Sequence, residues 1–252
     1  MRRFYTIPFL LVLSLAWAWS VSAQGTDTIG LGKNPAGEGF LVDAKGMTLY
    51  YYAKDKDGQS ACTGGCLKAW PAFLATTVKV SAPLKASDFG VITRADGAQQ
   101  TTYQGWPLYY WASDEKPGDA TGDGVGKVWF VVKVPRYTVM LSNDKTLGNF
   151  LVDGNGMALY WFTQDSPGSS SATGKTLVNW PIFAPASFIL PSLLNPADFK
   201  TIIRADGAKQ ATFKGYPLYY FVKDTKRGDV NGQDVGKVWY LIDPLKFPPS
   251  PM

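Results

Sequence analysis

The sequence predicts an all-β protein made of one internally duplicated, aromatic-rich unit. Three observations carry that expectation. Short runs of apolar, aromatic and β-branched residues alternate with Gly- and Asp-containing turn signals. Aromatic residues make up 14% of the 252-residue chain, with nine Trp and thirteen Tyr. Finally, four stretches recur at one spacing: Phe40-Leu-Val-Asp43 returns at Phe150–Asp153, Arg94-Ala-Asp-Gly-Ala98 at Arg204–Ala208, Pro107-Leu-Tyr-Tyr110 at Pro217–Tyr220 and Val125-Gly-Lys-Val-Trp129 at Val235–Trp239, each shifted by 110 residues. A fixed shift without a net gap means duplication of one unit.

Taken in order, residues 1–23 read as a signal peptide. Arg2 and Arg3 supply the positive start, an apolar stretch runs from Phe4 to Trp19, and Val21-Ser22-Ala23 offers a cleavage point. The stretch is too short and wrongly flanked for a comfortable membrane span, and no later stretch could cross a bilayer. No Cys follows it, so lipidation of the mature N-terminus is not expected. Residues 24–37 read as a flexible N-terminal tail, 38–132 as the first β domain, 133–147 as a linker, 148–242 as the second β domain and 243–252 as a Pro-rich C-terminal tail. Within the first copy, Phe40–Val42 and Leu49–Tyr52 form a hairpin across Ala44-Lys45-Gly46. Val91–Thr93, Thr101–Tyr103, Leu108–Trp111 and Val128–Val134 are further strands, and the second copy repeats them. Helix is confined to a turn near Cys62–Ala69 and short turns starting at Ser87 and Pro196. Two tandem sheets about a pseudo-twofold axis are the simplest arrangement, a closed four-module ring the alternative.

Each copy is itself double. A pattern Tyr-x-aromatic-x-x-Asp, then fourteen residues, then Trp, occurs as Tyr50/Tyr52/Asp55/Trp70, Tyr109/Trp111/Asp114/Trp129, Tyr160/Phe162/Asp165/Trp180 and Tyr219/Phe221/Asp224/Trp239. In a strand, positions i and i+2 share a face, so each Tyr sides with the aromatic two places on, and the Asp falls past the strand end. This tandem signature resembles the bacterial secreted-repeat family, labelled predicted lipoproteins with a Tyr-x(4)-Asp motif, over residues 38–132 and 148–242. The resemblance implies the fold and an exported location, and no reaction, since the family has no assigned activity. The missing lipidation Cys sets this chain apart from the lipoprotein label.

Composition excludes several chemistries. There is no histidine, which removes Ser-His-Asp and Cys-His nucleophilic catalysis and His-based metal sites. Without Arg2 and Arg3 the formal charge falls from +5 to about +3, with Lys and Asp interspersed, so nucleic acid is not an expected partner. Cys62 and Cys66 are the only cysteines, and in an oxidising compartment they read as a disulfide; a redox-active pair or a two-thiolate metal site are the alternatives. The four Tyr/Asp pairs read as turn-holding structure, with cation binding or acid/base work as the sharper options. Asp119, Thr121 and Asp123 resemble the start of a calcium loop, but Phe130 stands where a bidentate Glu is needed. Arg94/Asp96 and Arg204/Asp206 read as turn-stabilising pairs. Tyr51, Tyr110 and Trp161 point opposite to their neighbours and are the candidate surface aromatics.

The functional expectation is a non-catalytic periplasmic or secreted module, with no cofactor, that binds an envelope component, a partner protein or a glycan through aromatic strand faces. Two alternatives come from other classes. One is a metal- or redox-linked accessory protein using Cys62/Cys66 and clustered Asp residues; the other is a carboxylate-dependent hydrolase pairing Asp114 with Asp224.

Overall fold

The structure, a computed structural model, describes residues 26–34, 37–75 and 77–247. The expected signal peptide at 1–23 lies outside them. The first copy contains β1 (Thr26–Lys33), β2 (Gly39–Val42), β3 (Tyr50–Tyr52), β4 (Thr77–Val80), β5 (Phe89–Thr93), β6 (Gln99–Tyr103), β7 (Trp106–Pro107), β8 (Trp129–Val131) and β9 (Lys133–Val134). The second contains β10 (Val139–Asp144), β11 (Gly148–Asp153), β12 (Tyr160–Phe162), β13 (Phe199–Ile203), β14 (Lys209–Phe213), β15 (Tyr216–Pro217) and β16 (Trp239–Leu241). Two one-turn helices, α1 (Cys66–Ala69) and α2 (Lys175–Asn179), occupy equivalent places. The all-β expectation holds.

The sheets are small and repeat in register. In β3–β8 Tyr51 faces Phe130, and in β12–β16 Trp161 faces Tyr240. In β5–β6 Phe89 faces Tyr103, and in β13–β14 Phe199 faces Phe213. The turn Arg94–Ala98 closes as the Ala-Asp-Gly signal predicts: Gly97 takes a left-handed φ of +83°, and its N–H donates to the Arg94 carbonyl at 3.0 Å.

Two segments differ from expectation. The tail expected at 24–37 holds β1, and the linker expected at 133–147 holds β9 and β10. These strands are one and the same element of the repeat: Leu31 pairs with Leu41 in β1–β2, as Leu141 pairs with Leu151 in β10–β11. Two glycines, Gly30 and Gly32, dilute the strand signal in β1, and its order comes from pairing on both sides, antiparallel to β2 and parallel to β4. Leu108–Trp111 is no strand; only Tyr109 makes single bridges, to Tyr50 and Ala72. The C-terminal tail begins later than expected, because Phe247 is buried against Trp161, Phe213 and Tyr216; residues 248–252 lie outside the described set.

One hydrophobic core runs through both copies, from Ile29 and Leu41 to Ile242 and Phe247. A second, smaller cluster in the first copy gathers Tyr50, Cys62, Trp70, Tyr109 and Trp129. The short β3–β8 ribbon separates the two, so both its faces are packed. That is why Tyr51 is only 1% exposed, against the expectation of a surface ring.

Candidate functional site

The sixteen motif residues converge in two equivalent clusters, one per copy. Each signature Tyr meets the Asp of the other module in its copy, not its own. Tyr50 donates to Asp114 Oδ2 at 2.6 Å and Tyr109 donates to Asp55 Oδ2 at 2.9 Å. The second copy repeats the exchange: Tyr160 donates to Asp224 at 2.6 Å and Tyr219 to Asp165 at 2.7 Å. All four carboxylates and all four hydroxyls are buried. Burial first, and then the bonded carboxylates, push the hydroxyls of Tyr50, Tyr109, Tyr160 and Tyr219 far up, so all four stay protonated donors.

Stacked rings lie between the crossed pairs. In the first copy Tyr52 stacks on Trp129 at 3.9 Å, Trp129 on Trp70 at 3.9 Å and Trp70 on Trp111 at 4.2 Å. Tyr50 and Tyr109 meet Trp70 and Trp129 edge-on, the favoured orientation for ring quadrupoles. The second copy builds the same four-ring ladder from Phe162, Trp239, Trp180 and Phe221. Its terminal phenylalanines are 8% and 7% exposed, whereas Tyr52 and Trp111 are half-buried.

The calcium-like loop belongs to this frame. Asp119 accepts the N–H groups of Glu115 and Lys116, Thr121 donates through its N–H and hydroxyl to Asp114, and Asp123 accepts the Val131 N–H. Each of the three is thus bonded to a partner within the frame. Among the described residues no group of three or more His, Cys, Asp or Glu is placed to hold a metal ion. Gly122 in this loop lies against the ladder: a Cβ there would sit 2.8 Å from Trp70, and 3.0 Å from both Trp111 and Tyr50. Gly122→Ala is therefore expected to lower stability by about 1–3 kcal/mol through overpacking. Gly65→Ala, with nothing within 4 Å, is the control that should stay near neutral in urea unfolding.

Arg94 and Arg204 do more than hold turns. Arg94 is 5% exposed and donates to Ser60, Gln100 and the Cys62 carbonyl as well as Asp96. Ser60 in turn contacts the Tyr109 hydroxyl at 2.7 Å, so a chain of bonds runs Arg94–Ser60–Tyr109–Asp55. Arg204, Ser170, Tyr219 and Asp165 reproduce it. Cys62 and Cys66 form the expected disulfide, with Cα atoms 5.3 Å apart, and the Cys62 carbonyl joins it to this network by accepting from Arg94.

One donor breaks the symmetry. Ser171 bonds Asp165 through its hydroxyl at 2.8 Å, but the first copy has Ala61 there and only its N–H reaches Asp55. Burial pushes the Asp55 carboxyl up to about 7, against the Ala61 N–H, the Tyr109 hydroxyl and the charges of Arg227 and Arg94. The folded protein then keeps a proton that the unfolded chain has lost. Its stabilising contribution is complete below about pH 3.9 and declines as the pH rises toward 7. Thermal midpoints between pH 4 and 8 should show this fall, and Ala61→Ser, by supplying the missing donor to the ionised form, should flatten it; parallel profiles would refute the cause.

Of the candidate surface aromatics, Tyr51 packs on Trp106, Phe130 and Tyr137. Tyr110 is half-buried and donates to Asp43 at 3.0 Å. Trp161 is half-buried against Tyr216 and Phe247. They form no open aromatic row. Arg227 is the residue that sequence reasoning missed. Nine-tenths and more of it is covered; it donates to the carbonyls of Gln104, Gly105 and Asn155 and lies 3.9 Å over the Trp106 ring, tying the copies together. Burial lowers its guanidinium to about 10, with Asp57, Asp55 and Asp153 opposing. The one available signal was that Pro117 stands at the matching place in the first copy.

Crossed pairs, paired ladders and repeated registers define a duplicated all-β repeat protein whose motif residues build its frame. Residues 37–73, 90–133 and 200–243 match a family model described as a secreted repeat of unknown function. The chain carries that family's repeat and is a secreted-repeat protein. The stretch around Tyr160 and Trp180 lies outside the matched segments, yet has the same geometry. No curated protein and no solved structure matches the chain. No helix among the described residues is long and apolar enough to cross a membrane.

Proposed function

We propose that the protein is a non-catalytic module of the bacterial cell envelope, periplasmic or secreted, that binds a partner protein or glycan on a rigid frame of two homologous domains. The observation that supports this reading is the commitment of every motif carboxylate to a tyrosine. Acid/base work needs unlike environments facing a shared substrate, but Asp114 and Asp224 each serve the equivalent bond in a different copy. The recognition surface moves from the strand faces to the ends of the first ladder, where Tyr52 and Trp111 are half-buried while their counterparts are closed over. A ring face with one open side can stack on a sugar or on an apolar side chain.

The test is a fluorescence and thermal-shift screen of the mature chain with envelope saccharides, followed by capture from envelope extract. A ligand at 100 times its Kd adds about 2.7 kcal/mol of stability. Tyr52→Ala with Trp111→Ala should abolish the shift or the capture, while Phe162→Ala with Phe221→Ala, once refolding is verified, should not. Undiminished binding by the first pair would move the recognition surface elsewhere.

A further inference from the structure

Among the described residues, two buried side-chain polar groups have no hydrogen-bond partner, the Tyr51 hydroxyl and the Trp106 Nε1–H. Both residues line one cavity of about 20 Å³ at the junction of the copies, closed by Val132 and Tyr137 and, from the second copy, by Met140 and Gly154. That is room for one water-sized species. The indole N–H can only donate. The Leu141 backbone N–H approaches the Tyr51 oxygen without closing a hydrogen bond, and an amide N–H also only donates, so the phenol hydrogen stays unspent. Burying an unpaired donor is costly, and two on one cavity call for an occupant that accepts from both.

The charge around the cavity is positive. Lys133 and Arg136 are on its lining, and the Arg227 guanidinium lies 3.9 Å over the Trp106 ring. Lys133 is paired with Glu38 at 2.8 Å, whereas Arg136 donates to the neutral Gln104 side chain at 3.1 Å. The second copy shows what the same place becomes without this bias. Trp161 and Tyr216 take the two ring positions there, and Phe247 packs edge-on against both. Asp243 and Lys246 form an ion pair at 3.2 Å; in the first copy Lys133 and Arg136 occupy their places, so a base replaces the acid. A neutral water would satisfy the two donors and leave that excess charge unanswered.

We infer that this cavity binds a small monovalent anion of the halide class, chloride above all, which accepts from Trp106 Nε1–H and Tyr51 O–H and faces the Arg136 guanidinium. Hydrogen bonds to an ionised acceptor are the stronger kind, and two donors fixed by packing are held ready for it. Because residues of both copies close the cavity, bound anion stabilises their junction. This site is separate from the ladder ends and stands or falls without them.

The probes are sodium chloride and sodium bromide, each replacing sodium gluconate at constant ionic strength in a solution of the whole mature protein. Heteronuclear NMR follows the Trp106 indole N–H, assigned by its loss in Trp106→Phe. The expected result is a saturable shift with a Kd of about 1–10 mM, and a thermal midpoint that rises with halide as one-site linkage requires. Tyr51→Phe should keep its midpoint in gluconate, since it sheds an unpaired hydroxyl, and bind halide about tenfold more weakly, the worth of one hydrogen bond to a charged group. Arg136→Gln, at an exposed position, serves as the second weakening variant if Tyr51→Phe folds poorly. A shift that grows linearly with salt would mean an adventitious ion only. Magnetisation transfer from a bound water to the indole N–H, unchanged by halide, would place water there instead. Either result overturns the assignment, as does halide binding that both variants leave undiminished.

Discussion

Replacing Trp70 with Ala lowers the unfolding free energy by about 3–5 kcal/mol, the range for emptying a buried aromatic site. Trp70 is the inner rung of the first ladder, with Trp129 at 3.9 Å on one face, Trp111 at 4.2 Å on the other and the edge of Tyr50 at 5.4 Å. It is 4% exposed. Removing it strips both stacked faces at once, and the neighbours are themselves held by strands and by Gly122, so the site cannot readily collapse. Trp180→Ala should cost a similar amount, because Trp239 and Phe221 flank it at 3.9 and 4.3 Å. Chemical denaturation of both variants gives the comparison. A loss below about 1 kcal/mol for either would mean that the ladder contributes far less than fully packed rings do.

Tyr50→Phe is expected to cost about 2–3 kcal/mol, since it leaves Asp114 short of a donor in a buried position. It also removes the acceptor that the Gly122 N–H reaches at 3.3 Å. The informative measurement is the double-mutant cycle. Tyr50→Phe with Asp114→Asn should show a coupling of about 1.5–3 kcal/mol, whereas Tyr50→Phe with Asp55→Asn should be additive to within about 0.5 kcal/mol. A strong coupling within the Tyr50/Asp55 module and none across it would refute the crossed arrangement.

That crossing marks the limit of what the chain discloses when read alone. Period-2 logic correctly puts Tyr50 and Tyr52 on one side of a strand, and the fourfold recurrence of Asp and Trp at fixed spacing correctly identifies a framework. Nothing local says whether Tyr50 bonds Asp55, five residues on, or Asp114, sixty-four on; the answer depends on β3 and the Tyr109 bridge bringing two modules face to face. Tyr51 was legible as pointing away from its neighbours, but alternation cannot tell water from a second core. The disulfide was legible because two cysteines in an oxidising compartment have one obvious partner each. β1 was missed because its glycines weaken the apolar pattern, and its partners β2 and β4 lie on separate stretches of chain. The open ladder ends depend on neighbouring packing that no residue pattern states, so Tyr52 and Trp111 looked the same as their Phe counterparts.

Duplication ordinarily leaves two beads on a string, each melting by itself. Arg227 works against that outcome. A proline at this place, as at Pro117 in the first copy, would pack on its own module, as Pro117 does beside Gly46. The guanidinium instead reaches carbonyl groups in both halves, and the apolar interior is continuous between them. The expected consequence is a single cooperative endotherm, with calorimetric and van't Hoff enthalpies in agreement. Arg227→Pro removes the guanidinium tie and leaves the shared interior, so it should lower the midpoint and pull the van't Hoff enthalpy below the calorimetric one.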